Sequence, residues 1–95
     1  MTLRDIAYIV VIQEEKSITK ASNKLYVTQP ALSQRVRKVE SELGITLFNR
    51  TSRGVQLTSE GECFLHFARK VLMGQKDFER ELEDMRNTCK GTLSI

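Results

Sequence analysis

Residues 28–37, Thr-Gln-Pro-Ala-Leu-Ser-Gln-Arg-Val-Arg, decide the fold, because they read as a helix with two unlike faces. At the helical advance of about 100° per residue, Leu32, Val36, Val39 and Leu43 share one narrow apolar stripe. Pro30, Gln34 and Arg37 point the opposite way, with Ser33 and Lys38 at the flanks. Thr28 is a good N-cap, its hydroxyl accepting from an amide two or three residues on, and Pro30 in the first turn lacks only a donor that the helix leaves unused. The helix therefore begins at about Thr28. Its outer face carries amides, a hydroxyl and arginine in place of the usual scatter of Glu and Lys. Those are the groups that pair with base edges in a major groove. An ordinary solvated helix face is the alternative that this segment, taken alone, leaves open.

Upstream, Leu3, Ile6, Ile9 and Val10 recur at helical spacing from Leu3 to about Gln13, and Tyr8, Val11 and Ile12 thicken the apolar side. The β-branched run also suggests a strand, but length and spacing favour a helix that needs cover on more than one face. Ser17 caps a short second helix from Ile18 to about Lys24, with Ala21 and Leu25 facing inward and small Ser22 permitting close approach. Tyr26 and Val27 then connect tightly into Thr28. Two short helices joined by so brief a turn describe a helix-turn-helix.

Downstream, Gly44 ends the third helix and the hydrophobic period changes. Leu47-Phe48 and Val55-Gln56-Leu57 are strand-like pieces around a polar tip, Asn49 to Gly54, which predicts a small hairpin with two arginines, in other words a wing. Gly54 supplies the backbone freedom such a tip needs. Arg50 has a salt bridge to Glu40 or Glu42 as its structural alternative. Arg53, nearer the tip, is the stronger candidate for contact with nucleic acid.

Thr58 caps a long helix with Glu60 in its first turn, near the positive end of the helix dipole. Phe64, Phe67, Val71, Gln75, Phe78, Leu82 and Met85 fall three or four apart, a coiled-coil-like seam that Ala68 and Leu72 widen. A helix of roughly 30 residues extends about 45 Å, longer than the preceding unit is able to cover. Its distal half calls for a partner, and the simplest is the same helix of a second copy. A monomer with a frayed end is the alternative. Lys90-Gly91-Thr92-Leu93-Ser94-Ile95 reads as helix-breaking and then β-prone. The chain thus divides into a winged helix-turn-helix over 1–57, a dimerisation helix over 58–89 and a stub over 90–95. The fold class is mainly α with a small β-hairpin.

Composition bounds the function. Ninety-five residues with 40% apolar content allow one small core and leave no room for a roomy ligand pocket. No apolar run approaches a bilayer span and the N-terminus has no signal-type core, so a cytoplasmic protein without membrane association is expected. The net charge is only +3, but residues 28–54 hold five basic side chains (Arg35, Arg37, Lys38, Arg50, Arg53) against two acidic ones, Glu40 and Glu42. That segment alone accounts for the net excess, which concentrates the electrostatic footprint around the third helix and the wing. Cys63 and Cys89 lie far apart in a chain with no export signal, so a structural disulfide is not expected. Cys63 and the single histidine, His66, make half a metal site with no second pair of ligands, so neither metal nor cofactor is expected. An enzyme finds little support: Ser33 and Ser59 have no base partner, and no Gly-rich phosphate loop occurs.

From Leu3 to Gly61 the chain resembles, without a gap, the DNA-binding domain of LysR-type transcriptional regulators. The resemblance rests on Ser17, Ala21, Leu25, Val27-Thr28-Gln29-Pro30-Ala31-Leu32-Ser33, Glu40, Leu43-Gly44, Leu47-Phe48, Arg50, Leu57-Thr58 and Gly61. Lys16, Ser22 and Thr46 depart from the glycine, alanine and proline common at those positions. The resemblance implies a winged helix-turn-helix and a linker helix pairing antiparallel in a homodimer. It also implies that residues 91–95 begin an effector-binding domain, with a small-molecule effector for the full-length protein. Carried onto matching positions, Gln29, Pro30, Ser33, Gln34 and Arg37 would face base edges or the thymine methyl of double-stranded promoter DNA. Thr28, Lys38, Arg50 and Arg53 would mainly hold phosphates or the minor groove. The competing class is a protein-interaction module with an incidental basic surface.

Overall fold

The computed structural model describes residues 1–93, with side chains through residue 88. Six elements follow in order: α1 (Leu3–Glu15), α2 (Ile18–Leu25), α3 (Gln29–Leu43), β1 (Phe48–Thr51), β2 (Gly54–Leu57) and α4 (Ser59–Leu93). Each of the first three helices starts on a hydroxyl cap. Thr2 accepts from the Asp5 amide while the Asp5 carboxylate accepts from the Thr2 amide, a reciprocal capping box. Ser17 accepts from Lys20 N–H and Thr28 from Ala31 N–H, so the start inferred for the third helix holds.

The core lies where α1, α2, α3, the hairpin and the first turns of α4 converge. Ile6, Ile9 and Ile12 from α1 meet Ala21, then Leu32, Val36 and Val39 from α3, Leu47, Phe48 and Val55 from the wing, and Phe64 and Ala68 from α4. Leu43 is not among them. It is 43% exposed, the last residue of α3 before its Gly44 cap. Gly44 then ends the helix at φ +67, the left-handed conformation that glycine adopts without a Cβ penalty, as the sequence indicates.

The hairpin is tighter than its sequence suggests. Strand pairing runs Phe48↔Leu57, Asn49↔Gln56, Arg50↔Val55 and Thr51↔Gly54, so Asn49 and Arg50 belong to a strand and the tip shrinks to Ser52-Arg53. Leu47 precedes the strand and is fully buried. Gly54 has φ +130, and a Cβ there would lie 2.2 Å from the Lys16 carbonyl oxygen, the same oxygen that accepts from the Val55 amide at 3.2 Å. The wing is thereby fastened to the end of α1. Lys16 itself lies in the left-handed region at φ 55, which explains why glycine suits that position. Ser22, where alanine is usual, is buried and donates to the Thr19 carbonyl at 2.8 Å.

Thr58 accepts from the Gly61 amide at 2.9 Å and its hydroxyl donates to the Thr46 carbonyl, which ties the start of α4 to the loop before the wing. The helix does not stop near residue 89. Its 35 residues run through Leu93, past Lys90-Gly91, because a single glycine inside a long helical run costs only about 1 kcal/mol and does not break it. Of the 90–95 stub, Ser94 and Ile95 lie outside the described residues. The long helix draws the molecule out to 63 × 25 × 20 Å.

Candidate nucleic-acid interface

The third helix separates its two faces as its sequence requires. Leu32, Val36 and Val39 are buried, while Thr28, Gln29, Pro30, Ala31, Gln34, Arg37 and Lys38 are exposed and Ser33 is partly so. The pose of that helix is fixed from below by a pair that the sequence does not advertise. Asp5 is 2% exposed, and its carboxylate accepts from Arg35 Nη1 at 2.7 Å across 30 residues of chain. The same guanidinium lies over the Tyr8 ring, 5.0 Å from its centroid. Burial pushes the Asp5 carboxyl up, and hydrogen bonds from the Thr2 amide, Arg35 and the Thr2 hydroxyl, with the Arg35 charge, outweigh it, so its pKa is lowered. Arg35, counted with the basic patch, is therefore engaged toward α1.

The wing is braced against the outer part of the same helix. Arg50 Nη2 donates to Ser33 Oγ at 3.2 Å, in place of a salt bridge to Glu40 or Glu42. Glu40 instead accepts from the Leu47 amide at 2.7 Å, and Glu42 pairs with the N-terminal ammonium at 2.8 Å. Between α3 and the wing lies an open cleft of about 430 Å³ whose walls include Gln29, Pro30, Ser33, Arg37, Phe48 and Arg50. Five of those six come from the residues singled out in the sequence as binding candidates or their immediate frame. Arg53 stands apart at the hairpin tip, where its amide donates to Thr51 Oγ1 at 3.2 Å and its side chain is exposed. Residues 28–54 thus present two arginines and a lysine outward beside an amide-rich helix face, with Arg50 spanning helix and wing.

Along α4 the seam divides in two. Phe64, read as part of the dimer seam, is 5% exposed and packs in the core of its own domain, in ring contact with Phe67 at 5.9 Å. It is taken up by the fold. Val71 is half-buried against the same core, whereas Phe67, Phe78 and Met85 are 45%, 60% and 62% exposed, Gln75 is exposed and Leu82 is half-exposed. Cys63 and His66 lie exposed on the other side of the helix start. No helix among the described residues is long and apolar enough to cross a membrane.

A family model described as "Bacterial regulatory helix-turn-helix protein, lysR family" matches residues 3–62. The transcriptional regulator AlsR of Bacillus subtilis is 45% identical over 95 residues, all of this chain and 30% of that protein. BenM of Acinetobacter baylyi is 47% identical over 72 residues, 76% of this chain and 24% of that protein. The chain spans about a third of the length of the curated relatives it matches. Among solved structures, the DNA-binding domain of BenM in complex with the catB site 1 DNA superposes with a TM-score of 0.84 at 40% identity, covering 90% of this chain and 96% of that one. The CbnR DNA-binding domain in complex with DNA gives 0.79 at 29% identity, covering 88% and 98%. With the family model matching residues 3–62 and relatives more than 30% identical along the whole chain, the chain belongs to the lysR family of bacterial regulatory helix-turn-helix proteins.

Proposed function

We propose that this chain is the sequence-specific DNA-binding part of a bacterial transcription regulator, and that it binds a dyad-symmetric promoter site as a dimer. The observation that carries this reading is the outward face of α3, where Gln29, Pro30, Gln34, Arg37 and Lys38 stand exposed on a helix clamped from beneath by Asp5 and from the side by Arg50. An amide- and guanidinium-bearing helix held rigidly is what direct readout of a major groove needs. Gln34 projects outward and pairs bidentately with adenine in this account, with Gln29, Ser33 and Arg37 on neighbouring bases. Thr28, Lys38, Arg50 and Arg53 hold phosphates or the minor groove. The similarity to BenM and CbnR domains in complexes with DNA supports the same docking.

Dimerisation through α4 has independent support in its charges. Residues 69–76 carry three basic side chains and no acidic one, whereas residues 77–84 carry five acidic side chains and one basic. A second α4 laid antiparallel, with the two-fold axis near Lys76-Asp77, puts unlike segments together, and a parallel one puts like on like. That same axis brings Val71 opposite Leu82 and Gln75 opposite Phe78. Response to a small-molecule effector, implied by the resemblance, is proposed for the full-length regulator.

The test is a gel shift on promoter fragments with excess nonspecific competitor. Retained binding to a subset of fragments is expected, and loss of every complex contradicts specific recognition. Sedimentation of Phe78→Asp, a side chain exposed in the single protomer, is expected to give a folded monomer. An unchanged dimer contradicts the α4 seam.

A further inference from the structure

Among the described residues, two other than glycine lie at positive φ, Lys16 at 55° and Tyr26 at 57°. Lys16 serves the fold, since its carbonyl receives the Val55 amide and its exposed side chain is what a surface position ordinarily holds. Tyr26 is different. Its backbone ends α2, with its amide donating to Asn23 and Ser22 carbonyls, and glycine or asparagine would meet that need with less strain. Its side chain is 95% exposed, whereas the other exposed large apolar side chains among the described residues lie between 42% and 64%. An aromatic ring that buries nothing, at a backbone position that disfavours it, contributes nothing to this fold.

Its position suggests what it does contribute. Tyr26 stands two residues before the Thr28 N-cap, at the outer edge of the helix whose first turn offers Gln29 and Pro30. Exposed Thr19, Lys20 and Asn23 run along α2 toward it. When the N-terminal part of such a helix enters a major groove, the turn before it comes to the rim, and the rim is phosphate. The positive end of the α3 dipole favours an anion near the same place. We propose that Tyr26 is a DNA-backbone contact, its phenol hydroxyl donating to a phosphate at the edge of the groove that α3 occupies. This rests on the DNA-binding reading above. The residue supplies affinity and docking angle but no base preference.

The experiment compares the 95-residue chain with Tyr26→Phe and Tyr26→Asn on a duplex selected from a random pool by the unaltered chain, and on an unrelated duplex. Tyr26→Phe is expected to weaken binding about threefold to tenfold on both duplexes, the loss of one hydrogen bond, with unchanged salt dependence because no charge is removed. Tyr26→Asn is expected to weaken binding at least as much while raising Tm, since asparagine tolerates the left-handed backbone. Placing a methylphosphonate at the contacted phosphate is expected to abolish the difference between tyrosine and phenylalanine. Binding by Tyr26→Phe within 1.5-fold of the unaltered chain overturns the proposal, as does a loss confined to the selected duplex. Either result leaves the DNA-binding reading standing, because that reading is judged by the unaltered chain's own binding.

Discussion

Replacing Asp5 by asparagine should cost the domain about 2 kcal/mol at neutral pH, and that cost should fade in acid. The carboxylate is buried, accepts the Thr2 amide at 3.0 Å on one oxygen and Arg35 Nη1 at 2.7 Å on the other. Asparagine keeps one acceptor and turns the other into a donor, so one of those two bonds is lost and a donor faces a donor. A hydrogen bond to a charged group contributes about 1.5–3 kcal/mol. The larger penalty of about 3–5 kcal/mol for stranding a buried charge does not apply, because the Arg35 side chain is 38% exposed and stays hydrated. Asp5 has a lowered pKa, so the unfolded chain takes up protons first as pH falls. Its stabilisation is therefore complete above the ordinary carboxylate pKa of about 3.9 and is lost as pH drops through the folded value. Urea unfolding of both proteins from pH 7 to pH 3 is the assay. A difference below about 0.5 kcal/mol at pH 7, or one that does not shrink on acidification, would refute the view that this ion pair fixes the pose of α3.

Other perturbations separate the fold from the interface. Gly54→Ala should destabilise by about 2–4 kcal/mol in chemical denaturation, because its Cβ would lie 2.2 Å from the Lys16 carbonyl oxygen at φ +130, whereas Gly44→Ala, with open space around it at φ +67, should cost about 1 kcal/mol. Equal costs would contradict the close packing of wing on α1. Lys16→Gly should stabilise by roughly 0.5–1 kcal/mol and raise Tm by about 3–6 °C, read by calorimetry, since it relieves a left-handed lysine. Arg53→Ala should weaken binding on every DNA sequence and make the salt dependence shallower by about one unit, and an unchanged slope would count against a phosphate role for the wing tip.

Much of this was legible in the sequence because local chemistry sufficed. A hydroxyl cap, a proline in the first turn and Gly44 bracket α3, and each acts within four residues of itself. What escaped depends on distant partners. Asp5 in the first turn of α1 looks like a capping residue, which it is, and nothing nearby reveals that Arg35 also reaches it. Leu43 and Phe64 obey the apolar period equally well, yet one lies beyond the core and the other inside it, since period gives direction and only packing gives depth. The strand ends of the wing are hidden for a related reason: Asn49 and Arg50 have weak strand propensity, and they pair with a β2 that is pinned to Lys16. The residues proposed to face bases were readable as a pattern. Their rigidity was not.

Selection of duplexes from a random pool by this chain, followed by sequencing, tests the central claim most directly. Two inverted half-sites separated by about one helical turn or a multiple of it are expected. With Gln34→Ala the preferred base should change at one position, mirrored in both half-sites, with discrimination there reduced by about 1–3 kcal/mol. An enriched pool with no shared motif, or a motif that Gln34→Ala leaves unaltered at every position, would contradict the assignment of α3 as the reading head.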